Sequence, residues 1–431
     1  MTKKNRIRKI KHTSKDNYKN YIFTYQENFE IIKKRLLEDG SLGIILIDAS
    51  KISKIEQSYG KKIYEDILDT LKKTLIDMRG HQIRNDDFVV IDHQESDQFY
   101  VFLSKKRGEK KFQSGDLENL ADRLTKYLNQ TMFMTIFPLL KKSPKIKIGY
   151  AFTIYNSLVR EERLIHKLIE EAKVMAQYQE FKIIMKNKEK LQELIIKEEI
   201  GTLFQPIVNI VSHEIIGYEA LSRGPQDTEY ESPYVLFTMA EETGLSFELD
   251  NICRKRALIN AKGLGQYKKL FINILPASIH DPEFKGAYLK SFLKEINIDP
   301  HNVVLEISEK EAIENFNIFK KTSNYFKEIG FAIAIDDTGI GYSNFESLLE
   351  LEPNYIKIDI SMIHQIERNK LKQELVKAIN QISSNMGSKV IAEGIETKEE
   401  MDVLLHLGVI YGQGFLFAKP APPFPIVNFG E

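Results

Sequence analysis

LFQPIVNIVSHEIIGYEALSR, residues 203–223, holds two apolar runs on either side of a very short break: VNIV at 208–211 and EIIGYEAL at 214–221 are separated only by Ser212 and His213. Two residues suffice for a hairpin, whereas a crossover between parallel strands needs a dozen or more. These first two strands are therefore expected to run antiparallel. Downstream, β-like runs alternate with helical stretches: after LFQPIVN and IIGYEAL come LFINIL, VVLEIS, FAIAIDD, YIKIDI, KVIAEG and VIYGQG. Eight such runs in about 230 residues match an α/β fold, a (β/α)8 TIM-type barrel modified by an antiparallel first strand.

At or near the downstream ends of these runs stand Glu219, Asn273, Glu306, Asp336 with Asp337, Asp359 and Glu393. The C-terminal ends of barrel strands open on one face, so side chains far apart in sequence converge there. Carboxylates crowded into a partly buried bowl repel one another unless cations compensate, and hard oxygen donors favour magnesium, manganese or calcium. A divalent site of two ions is the expectation. In the adjacent pair Asp336 and Asp337, one carboxylate can bridge two ions while its neighbour binds one. Lys357 has the parity of Asp359 and is expected to point into the same cavity. A single acid after a strand is more often a helix N-cap, so the reading rests on the whole set. Gly339 and Gly341 suit either a phosphate cradle or a short loop. Cys253 and the nine histidines show no HxxxH or CxxC spacing and are read as core or surface residues.

Upstream, LGIILID at 42–48 precedes a helical pattern over 59–79 with Ile63, Ile67, Leu68, Leu71 and Leu75 on one face. FVVID at 88–92 and FYVFL at 99–103 flank the polar HQESDQ, a hairpin signal. A helical stretch near 116–129 and a strand at 145–152 complete an α+β order of βαββαβ, the ferredoxin-like arrangement with helices on one face of an antiparallel sheet. From Val159 to Ile200 the chain is nearly free of Gly and Pro and reads as a long helix or a helix pair connecting two domains. The expected divisions are 1–37, a basic tail and lead-in helix; 38–185, the first domain; 186–200, a helical connector; and 201–431, the barrel.

The chain has 431 residues and 49.9 kDa, more than one ordinary domain. Lysine plus arginine equals aspartate plus glutamate at 61 each, so no global field favours nucleic acid or an anionic membrane, and any affinity for polyanions must be local. The basic stretch within residues 1–20 could bind nucleic acid or anionic lipid, and a solvated tail is the preferred reading. A lone cysteine excludes an internal disulfide framework and fits a reducing compartment, with a cytoplasmic location as the expectation. No apolar run has the length of a membrane span.

The segment from about 200 to 420 resembles the EAL domain of cyclic di-GMP phosphodiesterases. The resemblance is carried by FQPIV at 204–208, YEALSR at 218–223, INILP at 272–276, EISE at 306–309, DDTGIGYS at 336–343, IKID at 356–359, AEGIE at 392–396 and QGFLFAKP at 413–420. It implies a cyclic di-GMP-specific phosphodiesterase that yields linear pGpG with two Mg2+ or Mn2+ ions. It further implies that Glu219, Asn273, Glu306 and Asp336 bind the first ion, that Asp336 bridges to the second, and that Asp337 and Glu393 complete it. Lys357 resembles the group that holds and polarises the metal-bound water. Gln205, Leu221, Arg223, Asn273 and Gln413 resemble substrate-binding positions, and Glu309 and Glu396 residues that support the site and its loop. Thr338 and Ile340 depart from the usual DDFGTGYS.

The first domain, over about 40–185, resembles a GGDEF domain less closely. Asp48 fits its first metal-binding acid, and Tyr59 and Gly60 its aromatic and glycine. The signature hairpin reads Glu95, Ser96, Asp97, Gln98, Phe99, which puts side chains where two glycines would let the backbone approach nucleotide phosphates. Asp48 and Asp97 could still hold a metal, while Glu56 replaces the guanine-reading Asn and argues against GTP as a ligand. An RxxD pattern at Arg84–Asp87 is read as a coincidence in a polar loop. The expected whole is a phosphodiesterase homodimer with a catalytically inactive GGDEF-like regulatory domain. The alternatives are a non-catalytic cyclic di-GMP receptor and an interaction scaffold.

Overall fold

A computed structural model describes residues 22–103, 114–140, 146–265, 267–314, 316–339 and 351–427. The basic stretch at 1–20, Ile340 and Gly341 lie outside the described residues. The chain divides into two compact units, Met1–Ile184 and Met185–Glu431.

In the first unit, strands β1 (Ser41–Asp48), β2 (Phe88–Ile91), β3 (Gln98–Leu103) and β4 (Lys147–Ile154) form one antiparallel sheet in the order β2-β3-β1-β4. Each connection between non-neighbouring strands skips one position, as a βαββαβ chain requires. The sheet is covered on both faces rather than one. Alternate residues of β1 enter separate cores: Ile45 and Ile47 pack with Leu68, Leu71 and Leu124, whereas Leu42, Ile44 and Leu46 pack with Ile32, Leu36, Ile165 and Leu168. The second face is closed by the helix Tyr25–Asp39 and the early turns of the helix Glu161–Ile196. The unbroken apolar run of LGIILID is what a strand buried on both sides looks like.

The helix expected over 59–79 runs over Lys61–Asp77, and a further short helix, Ser53–Tyr59, precedes it, separated by Gly60, whose φ of +87° L-residues rarely adopt. The helix expected near 116–129 runs over Ser114–Leu140. The Gly- and Pro-poor stretch forms one helix, Glu161–Ile196, not a pair.

The second unit is a closed barrel of strands β5 (Gly201–Asn209), β6 (Glu214–Arg223), β7 (Lys269–Asn273), β8 (Val303–Ser308), β9 (Ala332–Thr338), β10 (Tyr355–Ile358), β11 (Lys389–Ala392) and β12 (Tyr411–Gly412). β5 is antiparallel to both β6 and β12, and the other neighbours are parallel. His213 turns the β5–β6 hairpin at a φ of +58°. Ile207, Phe271, Val304, Ala334, Tyr355 and Ile391 meet inside and close the barrel as a packed core, not a pore. Among the described residues, no helix is long and apolar enough to cross a membrane.

Candidate functional site

Lys357, on β10, is fully buried, and its ammonium lies among four carboxylates: Glu393 at 2.7 Å, Glu306 at 2.9 Å, Asp336 at 3.3 Å and Glu219 at 3.4 Å. Each comes from a different strand end, so only barrel closure creates the cluster. Two groups of acids stand close enough to share an ion: Glu219, Glu306 and Asp336, and Asp336, Asp337 and Glu393, with ligand atoms in each group within 4.8 Å of one another. Asp336 belongs to both.

The electrostatics show the surplus of negative charge. Burial pushes the Glu306 carboxyl well above its usual value, helped by Glu219 and Asp336 against the pull of Lys357. Burial and Asp336 raise Glu393 strongly. Burial and Glu219 raise Asp336, again against Lys357. Asp337 is raised to about 6 by burial and by the charges of Asp336 and Asp359. Burial would lower Lys357, but Asp336, Glu219, Glu306 and Glu393 together hold it far above the ordinary lysine value. Glu219 differs from the other acids: burial raises it, yet Lys357 and hydrogen bonds from Gln413 and Asn273 bring it below the usual range.

This donor set fits two divalent cations. Five carboxylates face one ammonium, an excess that two dications would neutralise. Glu306 is wholly buried, and its Oε2 accepts no hydrogen bond among the described residues, a costly state that a cation relieves.

The polar neighbours are ordered. Gln413, just past β12, donates through Nε2 to Glu219 Oε2 (2.7 Å) and to Gln205 Oε1 (2.9 Å), and Gln205 donates to the Ala418 carbonyl (3.1 Å). Asn273, at the end of β7, donates through Nδ2 to Glu219 Oε1 (3.1 Å). Asp337 sits in the left-handed region at a φ of +57°, its amide donating to Asp336 Oδ1 (3.0 Å). Glu309 is buried at the start of a helix and accepts the Gly339 amide (3.3 Å), so it ties the end of β8 to the turn after β9. Leu221 and Arg223 are half-buried, two and four residues beyond Glu219 on β6, and so share its face.

Two expected acids stand apart. Asp359 caps the helix Ile360–Ile363 by accepting the Ser361 amide (2.8 Å) and belongs to neither ligand group. Glu396 has an exposed side chain, and its backbone amide is bound by Glu400 Oε2 (2.9 Å). Glu400 is the residue that the sequence reading missed. Buried at 2% exposure, it also accepts the Thr397 amide (3.2 Å) and the Gln365 amide (3.0 Å), which fixes the loop after Glu393 against the loop after β10. The T-x-x-E spacing of Thr397 and Glu400 is a capping-box signal that would have identified it.

In the first unit, Asp97 accepts the Tyr64 hydroxyl, and Asp48 accepts the Ser50 amide (2.9 Å). Among the described residues, these acids form no group suited to a metal. Glu95 occupies the left-handed region at a φ of +66°, where glycine is favoured. Asp87 is buried and accepts the Arg84 amide (3.0 Å), which closes a turn.

Residues 188–420 match the EAL domain family. A probable cyclic di-GMP phosphodiesterase, PdeB of Escherichia coli K12, is 30% identical over 246 residues, 56% of this chain and 46% of that protein. Cyclic di-GMP phosphodiesterase PdeA of Borreliella burgdorferi is 27% identical over 343 residues, 75% of this chain and 49% of that one. The chain thus spans about half the length of these curated relatives. The crystal structure of the Xanthomonas citri FimX EAL domain in complex with c-diGMP superposes at a TM-score of 0.53, with 22% identity, over 59% of this chain and 100% of that one, a likeness of fold.

Proposed function

The chain belongs to the EAL domain family, and from that premise we propose that its barrel is a phosphodiesterase that opens cyclic di-GMP to linear pGpG with two divalent cations, magnesium or manganese. The observation that carries this reading is the pair of carboxylate groups sharing Asp336 around the buried Lys357.

Glu219, Asn273, Glu306 and Asp336 would hold one cation, and Asp336, Asp337 and Glu393 the other. When bound, the cations supply Lewis acidity toward the phosphoryl oxygens and make water acidic enough to ionise near neutral pH. The four carboxylates around Lys357 favour its charged form, and the ammonium would orient the attacking water and stabilise charge growing on the phosphoryl group. Glu393, nearest to Lys357, holds that ammonium in place. The water oxygen forms the new P–O bond, the bond to one sugar oxygen breaks, and that oxygen takes up a proton. Gln413 and Gln205 make a hydrogen-bonded wall beside Glu219 before any ligand arrives. Leu221 and Arg223 add an apolar surface and a cation on the same face, suited to a base and a phosphate.

For the first unit, the proposed role is regulatory and without nucleotide synthesis. Tyr64 takes up the Asp97 carboxylate, and the hairpin lacks both glycines.

Incubation of the purified chain with cyclic di-GMP and Mg2+ or Mn2+, followed by chromatography for pGpG, tests the reading. Binding of the dinucleotide without turnover would replace the enzyme by a receptor. Neither binding nor turnover would sink both.

A further inference from the structure

Outside the carboxylate cluster, the second unit buries another charged network. Arg254 is 1% exposed, Asp281 2% and Asp250 6%. Arg254 donates through Nε to Asp250 Oδ2 (2.7 Å) and through Nη2 to Asp281 Oδ2 (2.8 Å), and its guanidinium lies 4.2 Å above the Phe284 ring. Asn251 donates to Asp281 as well (2.6 Å). Asp250, Asn251 and Arg254 stand on the helix Ser246–Asn260, whereas Asp281 closes the segment that leaves β7.

The contacts of Asp250 reveal what the network holds. Its Oδ1 accepts the Leu275 amide (3.1 Å), and its Oδ2 accepts the Ser278 hydroxyl (2.8 Å) as well as Arg254. Leu275 is two residues past Asn273. Between them, the Ile274 amide donates to the Glu306 carbonyl (2.9 Å), which continues the β7–β8 ladder beyond the Asn273–Glu306 pair. The backbone that leaves Asn273 is therefore held by β8 on one side and by a buried carboxylate on the other. Asn273 in turn commits its Nδ2 to Glu219, so its Oδ1 is the atom available to a cation.

We propose that Asp250, fixed by Arg254 and Asp281, is a positioning residue for Asn273: it sets the path of the chain leaving β7 and with it the aim of the Asn273 carbonyl oxygen. A buried ion network is weak evidence for stability, since apolar residues of similar volume often do as well. The two hydrogen bonds that Asp250 accepts from the exit of β7 are instead what an outer partner of a ligand looks like, and such partners typically govern affinity by 10- to 100-fold. The inference rests on the metal reading of the site, and its test separates the two.

Mn2+ binding to the full chain, read by titration calorimetry without substrate, is measured for the wild type, Asp250→Asn, Asn273→Ala and the double variant. The expected result is about tenfold weaker binding for Asp250→Asn. The double variant should bind no more than about twofold weaker than Asn273→Ala, because a residue acting through Asn273 has nothing left to act on. Unchanged affinity in Asp250→Asn, or a double variant whose loss is the product of the single losses, overturns the proposal. A wild type that takes up no Mn2+ removes the metal reading and the proposal together, whereas a wild type that binds without coupling removes the proposal alone. If Asp250→Asn does not fold, Ser278→Ala enters the same cycle, since it deletes one donor and leaves every charge in place. A loss of about threefold that disappears in the Asn273→Ala background supports the positioning role. Additivity, or no loss, overturns it.

Discussion

In the barrel, Glu219, Glu306, Asp336 and Glu393 share one lysine with Asp337 beside them, whereas in the first unit Asp97 has the hydroxyl of Tyr64 and Asp48 the amide of Ser50. Both regions place acids at strand ends, and both were read from the sequence as metal candidates. What separates them is the balance of donors. An acid whose neighbours supply a hydrogen bond is a finished structural element, but acids that outnumber their donors in a buried space are strained until a cation arrives.

The largest effect that tests this contrast is expected from the shared ligand. Asp336→Ala should lower pGpG formation by more than about 100-fold, beyond the usual cost of losing an outer partner, because both groups lose a ligand. Without metal, the variant should melt no lower than the wild type, since like charges have been thinned. Substantial turnover by Asp336→Ala would erase the difference between the two regions. Lys357→Ala is expected to act in the opposite way on stability. It leaves carboxylates buried without their cation, at a cost of about 3 kcal/mol, or roughly 6–12 °C in melting temperature for a domain of this size. Added Mn2+ should recover part of that loss, while kcat falls and KM stays nearly constant. Differential scanning fluorimetry with and without Mn2+ reads the first effect, and initial rates read the second.

Changes in the first unit should be smaller. Tyr64→Phe removes the donor to Asp97 and should cost about 1 kcal/mol, with no cyclic di-GMP made from GTP before or after the change. Synthesis from GTP by either form would show that the first unit had been misjudged. The smallest effect concerns Cys253, a barrel-side group that takes no part in the surplus. Burial raises its thiol to about 12, far above the pH of an ordinary assay, so the thiolate that thiol reagents attack is scarce. The native chain should resist such a reagent at pH 8 and react only on unfolding, and Cys253→Ala should leave turnover unchanged. Rapid labelling of the native chain would contradict the burial.

Much of this was legible before folding. The eight apolar runs and the two-residue break at Ser212 and His213 led to the barrel and its antiparallel first strand, because strand pairing at short range leaves few options. The acids at strand ends converged because barrel closure makes them. The expectation of helices on one face of the first sheet failed for a local reason: LGIILID is apolar at every position up to its final Asp48, and alternate residues need a core on each side. Gly60 moved the start of the expected helix from 59 to Lys61, since periodicity reports a face and not the backbone angle at one residue.

The sequence by itself determined the order of the elements, the residue types at each strand end and the family to which residues 188–420 belong, because these depend on local pattern and on the motifs. Tertiary structure alone decided which acids meet. Asp359 was drawn into a helix cap, Asp97 was claimed by Tyr64, Glu400 became the clamp behind an exposed Glu396, and Asp250 reached across to the exit of β7. For Asp97 and Asp250 the donor comes from far along the chain, Tyr64 and Leu275, and must arrive within about 3 Å, the range in which a hydrogen bond forms, whereas the caps made by Asp359 and Glu400 are local. For such distant donors, no spacing along the sequence encodes the meeting until the barrel and the sheet have closed.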